Sequence, residues 1–146
     1  MNDPILGFEG EYRWLSNFYP LDTPILYEDL SFPTVEHAYQ AMKCAHFADM
    51  KYISEISAGQ AKRAGRKVEQ IPGFDDNKLM IMEHFLTLKF SIPKFKKLLL
   101  ATGDRYIEET NTWGDTFWGV CNGEGENNLG KIIMKIRDTL KWQLKI

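Results

Sequence analysis

The sequence predicts an α+β fold, predominantly helical, with a small antiparallel β component, in one domain spanning residues 1–146. Three observations predict it. Apolar residues recur at helical spacing from Asp75 to Phe90 and from Leu129 to Leu144. Only Pro24 to Phe32 has the composition of paired strands. The 146 residues are 44% hydrophobic, enough for one sizeable core, and no repeat, low-complexity tract or Pro/Ser-rich linker divides them.

Each element follows from local chemistry. PILYEDLSF, residues 24–32, places apolar residues on both sides of Glu28-Asp29 and predicts a hairpin closed by an acidic turn. Thr34 can cap the helix that begins with VEHAYQAMKCAHF, where Val35, Tyr39, Met42 and Phe47 roughly keep helical spacing. Two short helices follow, Ala48 to Ile56 and Ala58 to Val68, the second capped by Ser57 and carrying Gly65 near its end. Pro72 and Gly73 mark a loop. Asp75 and Asp76 then place negative charge at the start of a long helix to Phe90, with Leu79, Met82, Leu86 and Phe90 as its apolar stripe. Met42, Met80, Met82 and the leucines of the long helix are core by spacing.

Ser91-Ile92-Pro93 interrupts that helix, and Lys94 to Ala101 restarts it and stops before Gly103. Tyr106 to Glu109 reads as a strand. TNTWGDTFWGVCNGEG, residues 110–125, is too polar for a core element and too aromatic for an idle linker; it reads as a functional loop with a short strand at Phe117 to Val120. Asn127 or Asn128 can cap a last helix whose Leu129, Ile132, Ile133, Ile136, Leu140 and Leu144 form a stripe to be buried.

Composition excludes several function classes. The N-terminal residues match neither a secretory signal nor a transit peptide, and charges interrupt every apolar run well short of the roughly 20 residues a membrane span needs. A cytoplasmic protein without a membrane partner is expected. Cys44 and Cys121 stand in no CxxC or Cys/His spacing, so neither a disulfide framework nor a metal site is expected. With a formal net charge of −2 and basic runs only at Lys62-Arg63-x-x-Arg66-Lys67 and Lys94-x-Lys96-Lys97, a general grip on duplex nucleic acid is not indicated.

Three polar clusters stand apart from the core pattern: Leu15-Ser16-Asn17-Phe18, Thr34-Val35-Glu36-His37, and Trp113-Gly114-Asp115 through Trp118-Gly119. Glu36 falls in the first turn of a helix, where the exposed N–H groups favour its ionised form by about 0.3–1 kcal/mol. There it can simply balance the helix terminus. It can also steady an oxocarbenium-like transition state or activate water beside a ribose. Gln40, one turn on, can bond substrate hydroxyls. His37 has no nucleophile to serve and stays outside the catalytic set.

Asp115 supplies a second carboxylate for acid–base work, or closes a local Asx-type turn; the sequence allows both. Trp113, Phe117, Trp118 and Phe74 offer faces for a base, at about 1–3 kcal/mol per stacked base, although most aromatics are core. The run Gly123-x-Gly125-x-Asn127-x-Leu129-Gly130 enters a helix whose first N–H groups can receive a phosphate. Its spacing is not the dinucleotide fingerprint and it lacks the P-loop lysine. Arg66 can grip a phosphate or carboxylate directionally, or solvate a helix face.

Taken together, LSNFYP at 15–20, PTVEHAYQAMK at 33–43, AKRAGR at 61–66 and NxWGDxFWGxxxGxGxNxLG at 111–130 resemble the NADAR (YbiA-like) family over nearly the whole chain. The resemblance implies a mostly helical fold that hydrolyses N-glycosidic bonds without a metal or cofactor. The implied ligand is a small ribose-phosphate, such as a ribosylaminopyrimidine of riboflavin biosynthesis, or an ADP-ribose type. Nucleic acid enters only as a modified substrate carrying ADP-ribosylated guanine. Carried onto this chain, the family pattern makes Glu36 catalytic with Asp115 as the acidic member of the later motif. Ser16, Asn17, Arg66 and Trp118 fall on pocket positions, and Phe18, Gln40, Phe74, Trp113, Gly119 and Asn127 complete the expected ligand-binding set. At Phe74 the sequence departs from the family's usual tryptophan: the ring is kept and the indole donor is lost, which bears on the base accepted.

Overall fold

The structure is a computed structural model describing residues 3–145. The chain runs β1 (Ile5–Leu6), a 3-10 helix (Gly10–Leu15), β2 (Ile25–Tyr27), β3 (Leu30–Phe32), α1 (Val35–Ala41), α2 (Phe47–Glu55) and α3 (Ala58–Ala64). It continues with α4 (Phe74–Lys89), α5 (Pro93–Ala101), β4 (Ile107–Glu108), β5 (Thr110–Asn111), β6 (Val120–Cys121) and α6 (Asn128–Leu144). Helix dominates, as the periodicity predicts, and the fold class is α+β. No helix among the described residues is long and apolar enough to cross a membrane.

Contacts divide the chain into two compact units, one continuous from Asn17 to Lys89, the other made of the described residues up to Ser16 and those from Phe90 on. In the continuous unit, β2 and β3 form the expected antiparallel hairpin in the register Ile25↔Phe32, Tyr27↔Leu30. Its two-residue turn is Glu28 and Asp29, both left-handed at φ 50° and 65°. That backbone matches the twist of the strands it joins. The core of the unit is α1, all seven residues of which are buried, packed among α2, α3, α4 and β3. The Thr34 side chain accepts the His37 N–H at its start.

The helix predicted to run on to Phe47 stops at Ala41. Beyond it the backbone turns to the segment before α4: Ala45 N–H donates to the Glu69 carbonyl at 2.8 Å and Ile71 N–H to the Lys43 carbonyl at 2.9 Å. Two strand-like bonds thus replace helical ones, and Phe47, 52% exposed, opens α2 instead of closing α1. Ser57 and Gln60 form a reciprocal capping box on α3, which ends at Ala64 before Gly65, short of Val68.

The stripe of α4 needs the larger correction. Leu79, Met80 and Leu88 are 45%, 66% and 40% exposed, whereas Phe74, Met82, Phe85, Leu86 and Lys89 are buried. No residue between Phe74 and Met82 is buried. Periodicity identifies a face; it does not tell how far along the helix neighbours reach to cover it. Met42 is only partly covered. Lys89 is fully buried, and burial lowers its amine to about 7.

In the second unit, β1 pairs in parallel with β4, and α6 packs on β4 and α5. Trp14 of the 3-10 helix meets Phe90 edge to face at 6.4 Å. Leu129, Ile132, Ile133, Ile136 and Leu140 of α6 are buried as the stripe predicts, but Leu144 is 67% exposed in the last turn. Gly130 permits the approach to β4: a Cβ there would stand 2.2 Å from the Ile107 carbonyl oxygen. Among the described residues, two of the three β ladders, β1–β4 and β5–β6, are parallel rather than antiparallel, and each joins strands of two residues too short for sequence alternation to register.

Candidate active site

Glu36 is the second residue of α1, its N–H donating to the Asn17 carbonyl at 3.0 Å. Although it lies in a first turn, Glu36 is only 7% exposed, so it is not a solvated terminus residue. One turn on, the Gln40 side-chain amide donates to Glu36 Oε2 at 2.6 Å in a buried contact. A further turn on, beyond the end of α1, comes Lys43. Its amine lies 5.5 Å from the centroid of the Tyr39 ring and 5.8 Å from that of Phe74. The two rings meet edge to face at 5.5 Å.

Burial holds the Lys43 amine below the usual lysine range, against the pull of Glu36 and then Asp75. Arg66 and Lys78 push in the same direction as burial. Glu36, Phe74 and Arg66, picked out from separate stretches of sequence, thus all act on one amine, and Gln40 bonds the carboxylate among them. Asn17 completes the group: its carbonyl anchors Glu36, its amide donates to Met82 Sδ at 3.4 Å, and its buried Oδ1 has no protein donor.

Other expected residues of this region are placed differently. His37 is 2% exposed, held between the Thr34 hydroxyl and the Ile56 carbonyl at 2.6 Å each, a packing role with both ring nitrogens engaged. The Ile56 carbonyl can only accept, so Nε2 carries a proton and donates to it. Phe18 is 41% exposed, with the Lys62 amine 6.0 Å from its ring centroid. Ser16 closes the 3-10 helix, its N–H donating to the Arg13 carbonyl.

The tryptophan-rich loop belongs to the other unit. There Asp115 Oδ1 accepts N–H bonds from Phe117 at 3.1 Å and Trp118 at 2.9 Å, the local turn that its sequence allows. Asn111 pairs reciprocally with the backbone of Asp115. Gly119 is required by space, since a Cβ would lie 2.1 Å from the Glu109 carbonyl oxygen. Phe117 and Trp118 meet edge to face at 4.8 Å, while Trp113 is 63% exposed.

Asn127 precedes α6 in a left-handed conformation, φ 53°, without capping it; its side chain instead accepts the Glu109 N–H and donates to the Ile107 carbonyl, both at 2.9 Å. The N–H groups of Asn127, Asn128 and Leu129 are spent on the carbonyls of Gly119, Phe117 and Trp118. These bonds occupy the helix-start N–H groups expected to receive a phosphate, and the strand expected at Phe117 to Val120 begins only at Val120, as β6.

The NADAR domain profile matches residues 7–141, nearly the whole chain. The chain belongs to the NADAR family. This NADAR chain is 34% identical over 151 aligned positions to the N-glycosidase YbiA of Escherichia coli, covering 96% of this chain and 91% of that protein. An N-glycosidase of Nostoc punctiforme is 35% identical over 92% of this chain and 90% of its own. A riboflavin biosynthesis protein of Vibrio vulnificus is 33% identical over 97% of this chain, which spans only 40% of that longer protein. In structure, the NADAR chain matches the NMR structure of Escherichia coli YbiA with a TM-score of 0.83 at 30% identity, over 99% of this chain and 89% of the other.

Lys43 is the NADAR-domain residue that reading for carboxylates overlooks. The signal was present: Lys43 stands seven positions after Glu36, two helical turns along the same face. That the Phe74 ring also reaches this amine depends on the packing of α4 against α1, which no local pattern reveals.

Proposed function

We propose that this chain is an N-glycosidase that hydrolyses the bond between ribose C1′ and a nitrogen in a phosphoribosyl-type substrate, such as a ribosylaminopyrimidine phosphate of riboflavin biosynthesis. Its relatives support a glycosidase or riboflavin-related activity at the level of the family. The observation that carries the finer reading is the buried Glu36 carboxylate, bonded by Gln40 and set in the field of the Lys43 amine, which lies beside the Tyr39 and Phe74 rings.

In this reaction a water attacks C1′ and gives its proton to Glu36, while the C1′–N bond breaks and its electron pair stays on nitrogen. The Lys43 ammonium protonates that nitrogen, and the proton held by Glu36 returns to the Lys43 amine through solvent. The anionic carboxylate also stabilises the positive charge that builds on the ribose. Arg66 holds the substrate phosphate, and the Asn17 Oδ1 accepts from a ligand hydroxyl or amine. Asp115, whose Oδ1 binds two backbone N–H groups, is assigned to the framework of its loop and not to proton transfer.

A second reading keeps the chemistry and changes the substrate to ADP-ribosylated guanine in nucleic acid. It is favoured by Lys62, Arg63, Arg66 and Lys67 on α3 and its following turn, with exposed Phe18 beneath Lys62 and exposed Tyr52 nearby in sequence on α2. Cations for phosphates and open rings for bases are what a single strand binds.

One panel tests both. Wild type and Glu36→Gln are incubated with ribosylaminopyrimidine phosphate, ADP-ribose, NAD and ADP-ribosylated DNA, and released base and sugar are followed by mass spectrometry. Wild type should release base from the ribosylaminopyrimidine, and Glu36→Gln should be slower by roughly 100- to 10,000-fold. Release from modified DNA alone would transfer the assignment to the second reading. Binding without release from any substrate, unchanged in Glu36→Gln, would make the chain a non-catalytic ADP-ribose-binding module.

A further inference from the structure

The Gln40 side chain is held at both ends. Its Nε2 donates to Glu36 Oε2 at 2.6 Å, while its Oε1 is buried without a hydrogen-bond donor. Leaving a buried acceptor unpaired is costly, so something in the packing must keep it there. The neighbour is Gly65: a Cβ at that position would stand 1.8 Å from Gln40 Oε1 and 2.7 Å from its amide carbon. Gly65 has φ −59°, an ordinary helical value, so its backbone conformation would accept any residue. The absence of a side chain at 65 therefore serves the space and not the turn.

We propose that Gln40 is a positioning residue that aims the Glu36 carboxylate, and that Gly65 is a glycine because it provides the seat for the Gln40 amide. This replaces the expectation that Gln40 bonds substrate hydroxyls. The Glu36 carboxylate fixes which way the seated amide faces: reversing it would turn Oε1 toward Glu36 Oε2, acceptor against acceptor. The N–H then necessarily meets the carboxylate, and a charge-assisted donor both orients Glu36 and favours its anion. The catalytic part of the inference rests on the reading of Glu36 as the catalytic carboxylate; the structural part does not.

The test therefore has two readouts. The Glu36 carboxyl is titrated by carbon-13 NMR in wild type, Gln40→Leu, Gly65→Ala, Gln40→Ala and the double variant Gln40→Ala/Gly65→Ala, with Lys43, Arg66, Asp75 and Lys78 unchanged throughout. Gln40→Leu should raise the Glu36 titration midpoint by roughly one pH unit, and Gly65→Ala should reproduce the rise, because its methyl drives the amide off its seat. In the Gln40→Ala background the Gly65→Ala change should add nothing, the signature of two residues acting through one contact.

In kinetics, Gln40→Leu should lower kcat about tenfold with KM nearly unchanged and move the acid limb of the pH profile upward by the same roughly one unit. A raised KM with unchanged kcat and an unmoved Glu36 titration would overturn the proposal and return Gln40 to substrate binding. Additive effects of the Gly65 and Gln40 substitutions would overturn the seat. If wild type turns over no substrate, the function reading fails while the NMR titrations still decide this one; if Gly65→Ala does not fold, Gln40→Leu and Gln40→Ala still decide the positioning role.

Discussion

At the scale of single residues, the site is a contest between desolvation and pairing around Glu36 and Lys43. Burial opposes charge on the Lys43 amine, Glu36 and Asp75 favour it, and burial is the larger effect, so the amine loses its proton below the usual lysine range. An amine acting as the acid for a departing nitrogen works only while protonated. Activity should therefore fall as pH rises through the lowered Lys43 value, giving a basic limb below 10.5, the ordinary lysine value. Lys43→Arg keeps the positive charge but does not release a proton in this range, so turnover should drop and the basic limb should vanish. Rates of base release between pH 6 and 10 check this, and a limb unchanged in Lys43→Arg would remove Lys43 from the chemistry. Glu36 was legible in sequence because a helix start is legible: Thr34 caps, Pro33 precedes, and the carboxylate falls in the first turn. Asp115 was legible only as a pair of alternatives, since an Asx turn and an acid use the same residue among the same glycines; in the folded loop its Oδ1 accepts the Phe117 and Trp118 N–H groups.

At the scale of elements, existence proved more readable than extent. Hairpin and helices stand where apolar spacing and capping residues put them, because those forces are local. The end of α1 is set by Glu69 and Ile71, more than twenty residues downstream, and the coverage of α4 by which neighbours reach Met82 but not Leu79. The β2–β3 turn shows how a sequence can accept a local cost. Glu28 and Asp29 both sit in the left-handed region, where a side chain is disfavoured by roughly 1–2 kcal/mol and glycine is not. Replacing the pair with Asn-Gly, the preferred residues for such a turn, should stabilise the protein by about 1 kcal/mol. Urea denaturation should show the midpoint rising with the slope unchanged. A fall would mean that the Glu28 or Asp29 side chain makes a contact worth more than the backbone strain.

At the scale of the whole molecule, the connectivity of the two units sets an order of assembly. The unit from Asn17 to Lys89 is continuous and built from neighbours such as the hairpin and the run α1 to α3. The other unit needs both ends of the chain: Ile5 must find Ile107 in the parallel β1–β4 pair, with α6 packing on β4. Because the entropy of closing a loop grows with the logarithm of its length, joining Ile5 to Ile107 costs about 2 kcal/mol more than joining Ile25 to Phe32. This pairing was also the part of the fold least visible in sequence, for the same reason: two-residue strands a hundred positions apart leave no local period. Long-range contacts are formed late when their closure is not yet repaid by neighbouring structure. In pulse-labelled hydrogen exchange during refolding, the amides of Met42 and Ile71 should therefore gain protection before those of Ile5 and Gly7, whose donors meet Tyr106 and Glu108. Simultaneous protection would mean that the units fold as one cooperative body, and earlier protection at Ile5 and Gly7 would mean that the β1–β4 pairing nucleates the chain despite its closure cost.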